Sequence, residues 1–390
     1  LKEAITIKNF GPLVDIRIDE VKPFTLLIGE SASGKSTLIK VITLFRYWAK
    51  MLNIRSYLKH ANIGKSPFKL SFQKCLATNG LDDMVGPDTE VIYSFGPTGV
   101  EYRIVFQNRK LSTEFQLIKS EDLTFHKISF MPETRNVIPA WAERGARLAG
   151  GYLGFYFHEA YNDFEAATEV IDNLDLSYLN FRFEVIRKQQ SRKTFRIQPM
   201  GEKGKNFKLK NASSGIQTSV PLVVVARYFS KTFSFQDAFR RSVLSFLFDM
   251  DRLKNFQPTV ELTEMAKMIH LHVEEPELSL FPDAQCLLLS LLVDQCFISN
   301  KADRRLTLMI ATHSPYLLNQ VNLLLRAGTV GKKVDGASLQ GSDVAVYLVK
   351  QGTLQSLHSI NAVTGEPVIN TIDLSETMTR IYDQYQLLKG

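Results

Sequence analysis

The sequence predicts an α/β fold in which a mixed central sheet is flanked by helices and carries an antiparallel β subdomain and a helical insertion. Two observations carry this. Short apolar runs, "FTLLI", "KISFM", "IHLHV" and "LTLMIA", read as buried strands, and three of them lead through a polar turn into a helical pattern. Between Phe68 and Lys119 the chain changes to short alternating segments, "FKLSFQK", "EVIYSFG", "EYRIVFQ" and "TEFQLIK", with "GPTG" as a turn between two of them.

Residues 1–52 begin with "AITIKNF", a Gly-Pro turn and "VDIRID", a hairpin, followed by the buried strand "FTLLIG". Residues 36–52 form a helix whose apolar face is Leu38, Val41, Ile42, Phe45, Trp48 and Leu52. Residues 53–126 are the antiparallel insertion. In 127–204, "KISFM" returns to the core sheet, 140–180 is mainly helical, and a basic stretch follows. In 205–330, "NASSGIQTSVPLVVVARYF" is a loop entering an apolar helix. A helical region at 235–268 then precedes "IHLHV", a helix at 283–298, the strand "LTLMIATHS" and a helix from about 315. Residues 331–390 carry a hairpin, "VAVYLVKQGTLQSLHSI". There is no internal repeat and no heptad seam.

In the 390 residues, 45% are apolar and 22% charged, the composition of a soluble globular protein. The longest apolar runs, such as "CLLLSLLV", are too short for a bilayer span, so no membrane partner is expected. "LKEAITIKNFG" lacks the apolar core of a signal peptide, and Leu1 points to a trimmed start. Cys75, Cys286 and Cys296 make no metal-ligand pattern, and the latter two read as core residues of a helix. These features favour a cytoplasmic protein. Much of the net charge of +7 lies in "RFEVIRKQQSRKTFRI" and "GEKGKNFKLKN". That stretch is either the solvated face of an insertion or a surface for DNA or RNA.

The loop "GESASGKST" matches G-x-x-x-x-G-K-S from Gly29 to Ser36, after an apolar strand and at the opening of a helix, which is the context a phosphate loop requires. The N–H groups of Gly29, Glu30, Ser31, Ala32, Ser33, Gly34, Lys35, Ser36 and Thr37 would cradle the phosphates of ATP at a helix N-terminus. Lys35 reaches the β- and γ-phosphates, and the Ser36 hydroxyl is offered to Mg²⁺. Such a site needs carboxylates at the end of a neighbouring strand. "IHLHVEEPELSLFP" supplies them: Glu274 to hold the metal and Glu275 to polarise the attacking water. Pro276 ends the strand, and Glu277 reads as the acidic cap of the next helix. In "ATHSP", His313 ends another apolar strand and is placed to contact the γ-phosphate, whereas His158, His270 and His272 read as structural. Taken alone, "SSGIQ" is only a Ser-Gly helix start able to bind an anion.

In this order the motifs resemble those of ABC-type ATPase heads, in particular the SMC-like and OLD-like AAA ATPases of prokaryotic defence loci. The likeness covers roughly 1–52, 127–139 and 205–330. It implies that Ser213, Ser214, Gly215 and Gln217 are a signature that caps, in trans, the γ-phosphate on a second copy's P-loop. ATP would then be sandwiched in a head-to-tail homodimer. It also implies that "KISFMPETRN" leads into a Q-loop, with Glu133 where glutamine is usual and Arg135 acting beside it. Glu274 stands where aspartate is more common. The segment between signature and strand-end acids is longer than in transporter subunits, and the tail is too short and too poor in paired acids for a Toprim nuclease domain.

The sequence reading is therefore a Mg-ATP-hydrolysing, ABC-type ATPase head. Dimer closure would switch an effector protein or a nucleic acid, in phage defence or DNA maintenance. The alternatives are a non-hydrolytic, ATP-gated scaffold and a nuclease acting on its own.

Overall fold

In the computed structural model, residues 1–64, 71–143, 155–187, 193–201, 204–244, 247–248, 253–360 and 365–388 are described. The strands that begin the chain are β1 (Lys2–Phe10), β2 (Leu13–Ile18) and β3 (Phe24–Ile28), followed by helix α1 (Lys35–His60) and the short α2 (Phe72–Thr78). Next come β4 (Val85–Gly96), β5 (Tyr102–Gln107), β6 (Lys110–Thr113) and β7 (Thr124–Met131), then α3 (Ile138–Ala142) and α4 (Phe155–Val170). A second sheet is formed by β8 (Asn173–Leu176), β9 (Phe181–Arg187), β10 (Lys193–Pro199) and β11 (Phe207–Lys208). Helices α5 (Ser214–Arg227) and α6 (Phe235–Phe239) lead to β12 (Ala266–Glu274), α7 (Pro282–Val293), β13 (Arg305–Thr312) and α8 (Pro315–Thr329). The described chain closes with the hairpin β14 (Val344–Lys350) and β15 (Thr353–Ser356), a small β pair and α9 (Ile372–Leu387).

The main sheet has the order β6-β5-β4-β1-β2-β15-β14-β3-β13-β12-β7. Its β14-β3-β13-β12-β7 half is parallel. The β6-β5-β4-β1-β2 half is antiparallel. This is the expected mixed sheet with an antiparallel subdomain. Burial explains the strand choice: every residue of "FTLLI" is buried, as are the last seven of β12 and of β13, because helices cover the parallel half on both faces. Parallel pairing sets the carboxyl ends of β3, β13, β12 and β7 in one row. Ile28 pairs with Thr312, Ala311 with Glu274, and Val273 with Met131.

Several local expectations need correction. Helix α1 runs eight residues past Leu52 to His60 because its polar residues are used in packing. The Asn53 side chain donates to Ala49 O and accepts from Thr124 N, and Ser56 Oγ accepts from Ile118 N. The expected strand at Phe68–Lys74 lies partly outside the described residues, and its remainder belongs to α2. Ser71 caps that helix, and Phe72 and Leu76 bury one face. "TEFQLIK" leaves the sheet after Thr113, drawn off by Phe115 against Phe95 and Tyr102 and by buried Ile118. Of the helical region expected over 235–268, the described residues include α6, a π-helical turn, Arg240–Leu244, and a 3-10 turn, Leu253–Asn255, while its end from Ala266 belongs to β12.

Within the described part of the basic stretch, three cations are paired with acids. That part pairs as β9 and β10, and the ion pairs are Arg182 with Asp175 at 2.6 Å, Arg187 with Asp172, and Lys193 with Glu169 at 2.7 Å. Among the described residues no helix is long and apolar enough to cross a membrane.

A buried polar chain fastens α1 beneath the sheet. Arg46 donates to Glu3 Oε2 from Nε at 3.0 Å and from Nη2 at 2.5 Å. Its Nη1 lies 2.6 Å from His272 Nε2. Since guanidinium can only donate, His272 Nε2 accepts, and its Nδ1–H points to Thr43 Oγ1 at 2.6 Å. Burial holds His272 and His270 well below the usual histidine range, so both are neutral core residues. Removing one partner from a buried ion pair strands the other charge, at a cost of about 3–5 kcal/mol. Arg46→Leu is therefore expected to shift urea unfolding strongly, and Glu3→Leu added to it should recover part of the loss. A double variant less stable than Arg46→Leu would show that the pair is not what holds α1.

Candidate functional site

The phosphate loop lies at the end of β3. Gly29 is required there by contact: a Cβ would lie 2.3 Å from Val349 O of the neighbouring strand. The loop then takes left-handed turns at Ala32 (φ 62°) and Gly34 (φ 103°) and enters α1 with no side-chain cap, which leaves the first N–H groups of the helix for an anion. The Lys35 ammonium folds over the loop and donates to Gly29 O (2.9 Å), Glu30 O (2.7 Å) and Ser33 Oγ (3.4 Å). Burial lowers its pKa, against the pull of Glu275 and Glu277. These carbonyls hold the charge where phosphate oxygens would take it over.

At the end of β12, Glu274 is 2% exposed, and the Ser36 hydroxyl lies close enough to its carboxyl to stabilise the charged form. Its Oε1 is buried with no hydrogen-bond partner. Burial chiefly, with Glu133 and Glu275 adding, pushes this carboxyl up to about 7, while Lys40 opposes. The exposed Ser36 hydroxyl and the buried, orphaned Glu274 oxygen are hard oxygen donors and fit Mg²⁺.

Glu275 has φ 44°, a left-handed conformation rare for a residue with a side chain. It is held from both sides, its N–H donating to Ala311 O at 2.8 Å and its carbonyl accepting from Arg135 Nη2 at 2.7 Å. The backbone turn splits the two glutamates: Glu274 goes into the protein, and Glu275 goes to the half-open site, with Oε1 3.5 Å from His313 Nε2. Strain of this kind persists where the surroundings enforce it.

Glu277 is not a helix cap. Its Oε1 accepts from Thr312 Oγ1 (2.7 Å) and from the His313 backbone N–H (2.8 Å), and α7 begins only at Pro282. The residue pins the loop that carries His313 to the loop that carries Glu275. Ser314 completes this brace by bonding Gln285 Oε1 at 2.6 Å and capping α8. No feature of the sequence marks this pairing, because its partners are 35 and 36 residues apart.

Ser213 and Ser214 are exposed at the start of α5, and Gly215 beneath them is buried. A Cβ on Gly215 would sit 2.5 Å from Ser279 O, so glycine lets the helix start lie on the turn that follows the glutamates. The Gln217 amide donates to Ala212 O (2.8 Å) and Lys210 O (3.0 Å), shaping the loop before the helix. Ser213 and Ser214 are not among the residues bounding the cavity of about 680 Å³ at the phosphate loop. That cavity is bounded by Pro12, Ile28–Ser33, His313 and, unforeseen in the sequence, Leu348–Gly352.

Glu133 is exposed just beyond β7. Arg135 is 0% exposed, and its guanidinium donates to four main-chain carbonyls rather than facing the cavity. The acceptors are Pro132 O (2.9 Å), Thr218 O on α5 (3.0 Å), Glu274 O (2.7 Å) and Glu275 O (2.7 Å). Burial lowers its pKa to about 10, opposed by the surrounding glutamates, so it stays charged. Arg135→Lys keeps the charge and loses the fork. With two or more buried carbonyls then unpaired, about 2–4 kcal/mol of stability should be lost in urea unfolding. A change below about 1 kcal/mol would show that the carbonyls find other donors.

Three solved structures resemble the chain in outline. The SMC head domain from Thermotoga maritima is 13% identical, with a TM-score of 0.38, covering 91% of this chain and 97% of that one. The recombination mediator protein RecF-ATPrS of the RecFOR pathway is 12% identical with a TM-score of 0.34, covering 92% and 98%. A dimeric ATP-binding cassette bound to ADP and Pi is 12% identical with a TM-score of 0.32, covering 90% and 96%. A comparison with curated proteins gives no match. The family model described as AAA domain, AAA_23, matches residues 4–257, about two thirds of the chain, and the protein belongs to that family.

Proposed function

We propose that the protein is a Mg-ATP-hydrolysing ABC-type head that closes as an ATP-sandwiched homodimer and so switches an effector partner. One observation carries the reading: Ser36 beside the orphaned Glu274 oxygen, and Glu275 beside His313, all at the carboxyl ends of neighbouring parallel strands around Lys35. Open parallel sheets bind their ligands at that edge.

In this mechanism Lys35 leaves the carbonyls of Gly29 and Glu30 for the β- and γ-phosphates, and the N–H groups of the loop hold the remaining oxygens. Ser36 and Glu274 would hold Mg²⁺, which supplies positive charge to the phosphate oxygens. Glu275, turned into the site by its left-handed backbone, accepts a proton from the attacking water. His313 is set on the other side by Glu277 and hydrogen-bonds the γ-phosphate oxygens. The exposed start of α5, with Ser213 and Ser214, is the surface that meets the nucleotide of a second copy. The likeness of the motifs to those of defence-type ATPases suggests phage defence or DNA maintenance as the setting.

The two glutamates should separate by substitution. Glu275→Gln keeps the shape but cannot take a proton. ATP is expected to bind while steady phosphate release falls by about 10²- to 10⁴-fold, leaving a stable dimer in light scattering. Glu274→Gln should instead lose Mg²⁺ dependence and form no stable dimer. Equal turnover in the wild type and Glu275→Gln would sink the catalytic role, and a wild type that binds ATP without phosphate release would favour the ATP-gated scaffold.

The trans arrangement has its own test. Lys35→Ala should weaken ATP binding about tenfold or more, since a charged hydrogen bond is lost. Ser214→Arg should spare binding and block closure. Mixed, the two inactive variants should regain part of the activity, because one composite site in each mixed dimer is intact. Absence of recovery while subunits exchange would refute the sandwich.

A further inference from the structure

The cavity of about 680 Å³ at the phosphate loop is bounded, besides the loop and His313, by Pro12 and Leu348–Gly352. Ile28, the residue before the loop, pairs with Thr312 on one side and with Leu348 on the other. The reacting groups Glu275 and His313 follow β12 and β13, all on one side of β3 in the sheet order β15-β14-β3-β13-β12. With the γ-phosphate turned toward them, the α-phosphate and nucleoside must leave across the other side, over β14 and β15. The tip of that hairpin is there: Lys350, Gln351 and Gly352 border the cavity together with Pro12. The tip is a built wall. A Cβ on Gly29 would lie 2.3 Å from Val349 O, so no side chain fits there, and Gly352 O accepts from Val14 N (2.9 Å) and Asp15 N (3.2 Å). Gln351 has a left-handed φ of 50°, which forms the turn.

Resting on the nucleotide reading above, we infer that the turn Lys350–Gly352 and Pro12 form the nucleoside half of the site. Gln351 and Lys350 supply its polar contacts, and Leu348 and Pro12 its apolar ones. Apart from His313 at the opposite end, no aromatic ring borders the cavity among the described residues, so the base is held by its edges and not by stacking. The C-terminal hairpin is thus part of the binding site and not a trailing appendage.

Calorimetry on the full chain with MgATP, MgADP and inorganic tripolyphosphate tests this. Gln351→Gly removes the side chain while tolerating the positive φ, Gln351→Asn shortens it in a residue that also tolerates it, and Lys350→Ala removes the ammonium. Each is expected to weaken MgATP and MgADP by the same factor, about three- to tenfold for one lost hydrogen bond, and to leave tripolyphosphate unchanged. Equal weakening of tripolyphosphate would place the turn on the phosphates and overturn the inference, as would unchanged MgATP affinity in all three variants. A wild type that binds neither ATP nor tripolyphosphate would overturn the nucleotide reading as well.

Discussion

The buried guanidinium of Arg135 is the constraint around which the site is assembled. It lies between the loop after β7, the end of β12 and Thr218 of α5, and it satisfies carbonyls on all three. A cation out of water is costly unless its donors are used, and here four bonds to peptide oxygens replace a direct ion pair. The arrangement fixes the main chain at Glu274 and Glu275 and so sets where both carboxylates point. The same group bonds Thr218 O, four residues after Ser214, so one side chain ties the helix that starts at Ser214 to the strand-end acids. In a sandwiched dimer, that connection would relate one copy's reacting acids to the surface it offers the other.

Three glutamates within four residues would repel strongly if they shared one environment. The fold separates them. Glu274 is buried near Ser36, and burial pushes its carboxyl up to about 7. Glu275 is turned outward to His313, and Glu277 is spent on the neighbouring loop. Lys35 and Arg135 add positive charge nearby, one exchangeable and one permanent. The left-handed backbone at Glu275 makes the division possible, because two consecutive residues of a strand otherwise point to opposite faces without leaving the sheet.

Beneath the site, the chain Thr43–His272–Arg46–Glu3 joins the helix that follows the phosphate loop to the strand that carries the acids. Polar groups in that position specify register more sharply than apolar packing does, since each must meet a partner. Lys35 and Glu274 are thereby held on elements that cannot slide past one another.

What the sequence determined by itself is local chemistry. The loop Gly29–Thr37, the acids Glu274 and Glu275, and His313 each sit where an apolar run ends, and the Ser-Gly helix start sits where one begins; period and spacing mark such places without knowledge of the fold. The core strands and most helices were legible for the same reason. What only the tertiary structure decided is whatever depends on partners far away in the chain. Glu277 bonds Thr312 rather than capping a helix, and Arg135 reaches 139 residues to Glu274 O. The polar residues that prolong α1, the acids that neutralise Arg182 and Arg187, and the hairpin tip beside Gly29 are of the same kind. A side chain's type limits what it can bond, but burial and long-range strand pairing choose its partner. Neither leaves a periodic trace in the neighbouring residues.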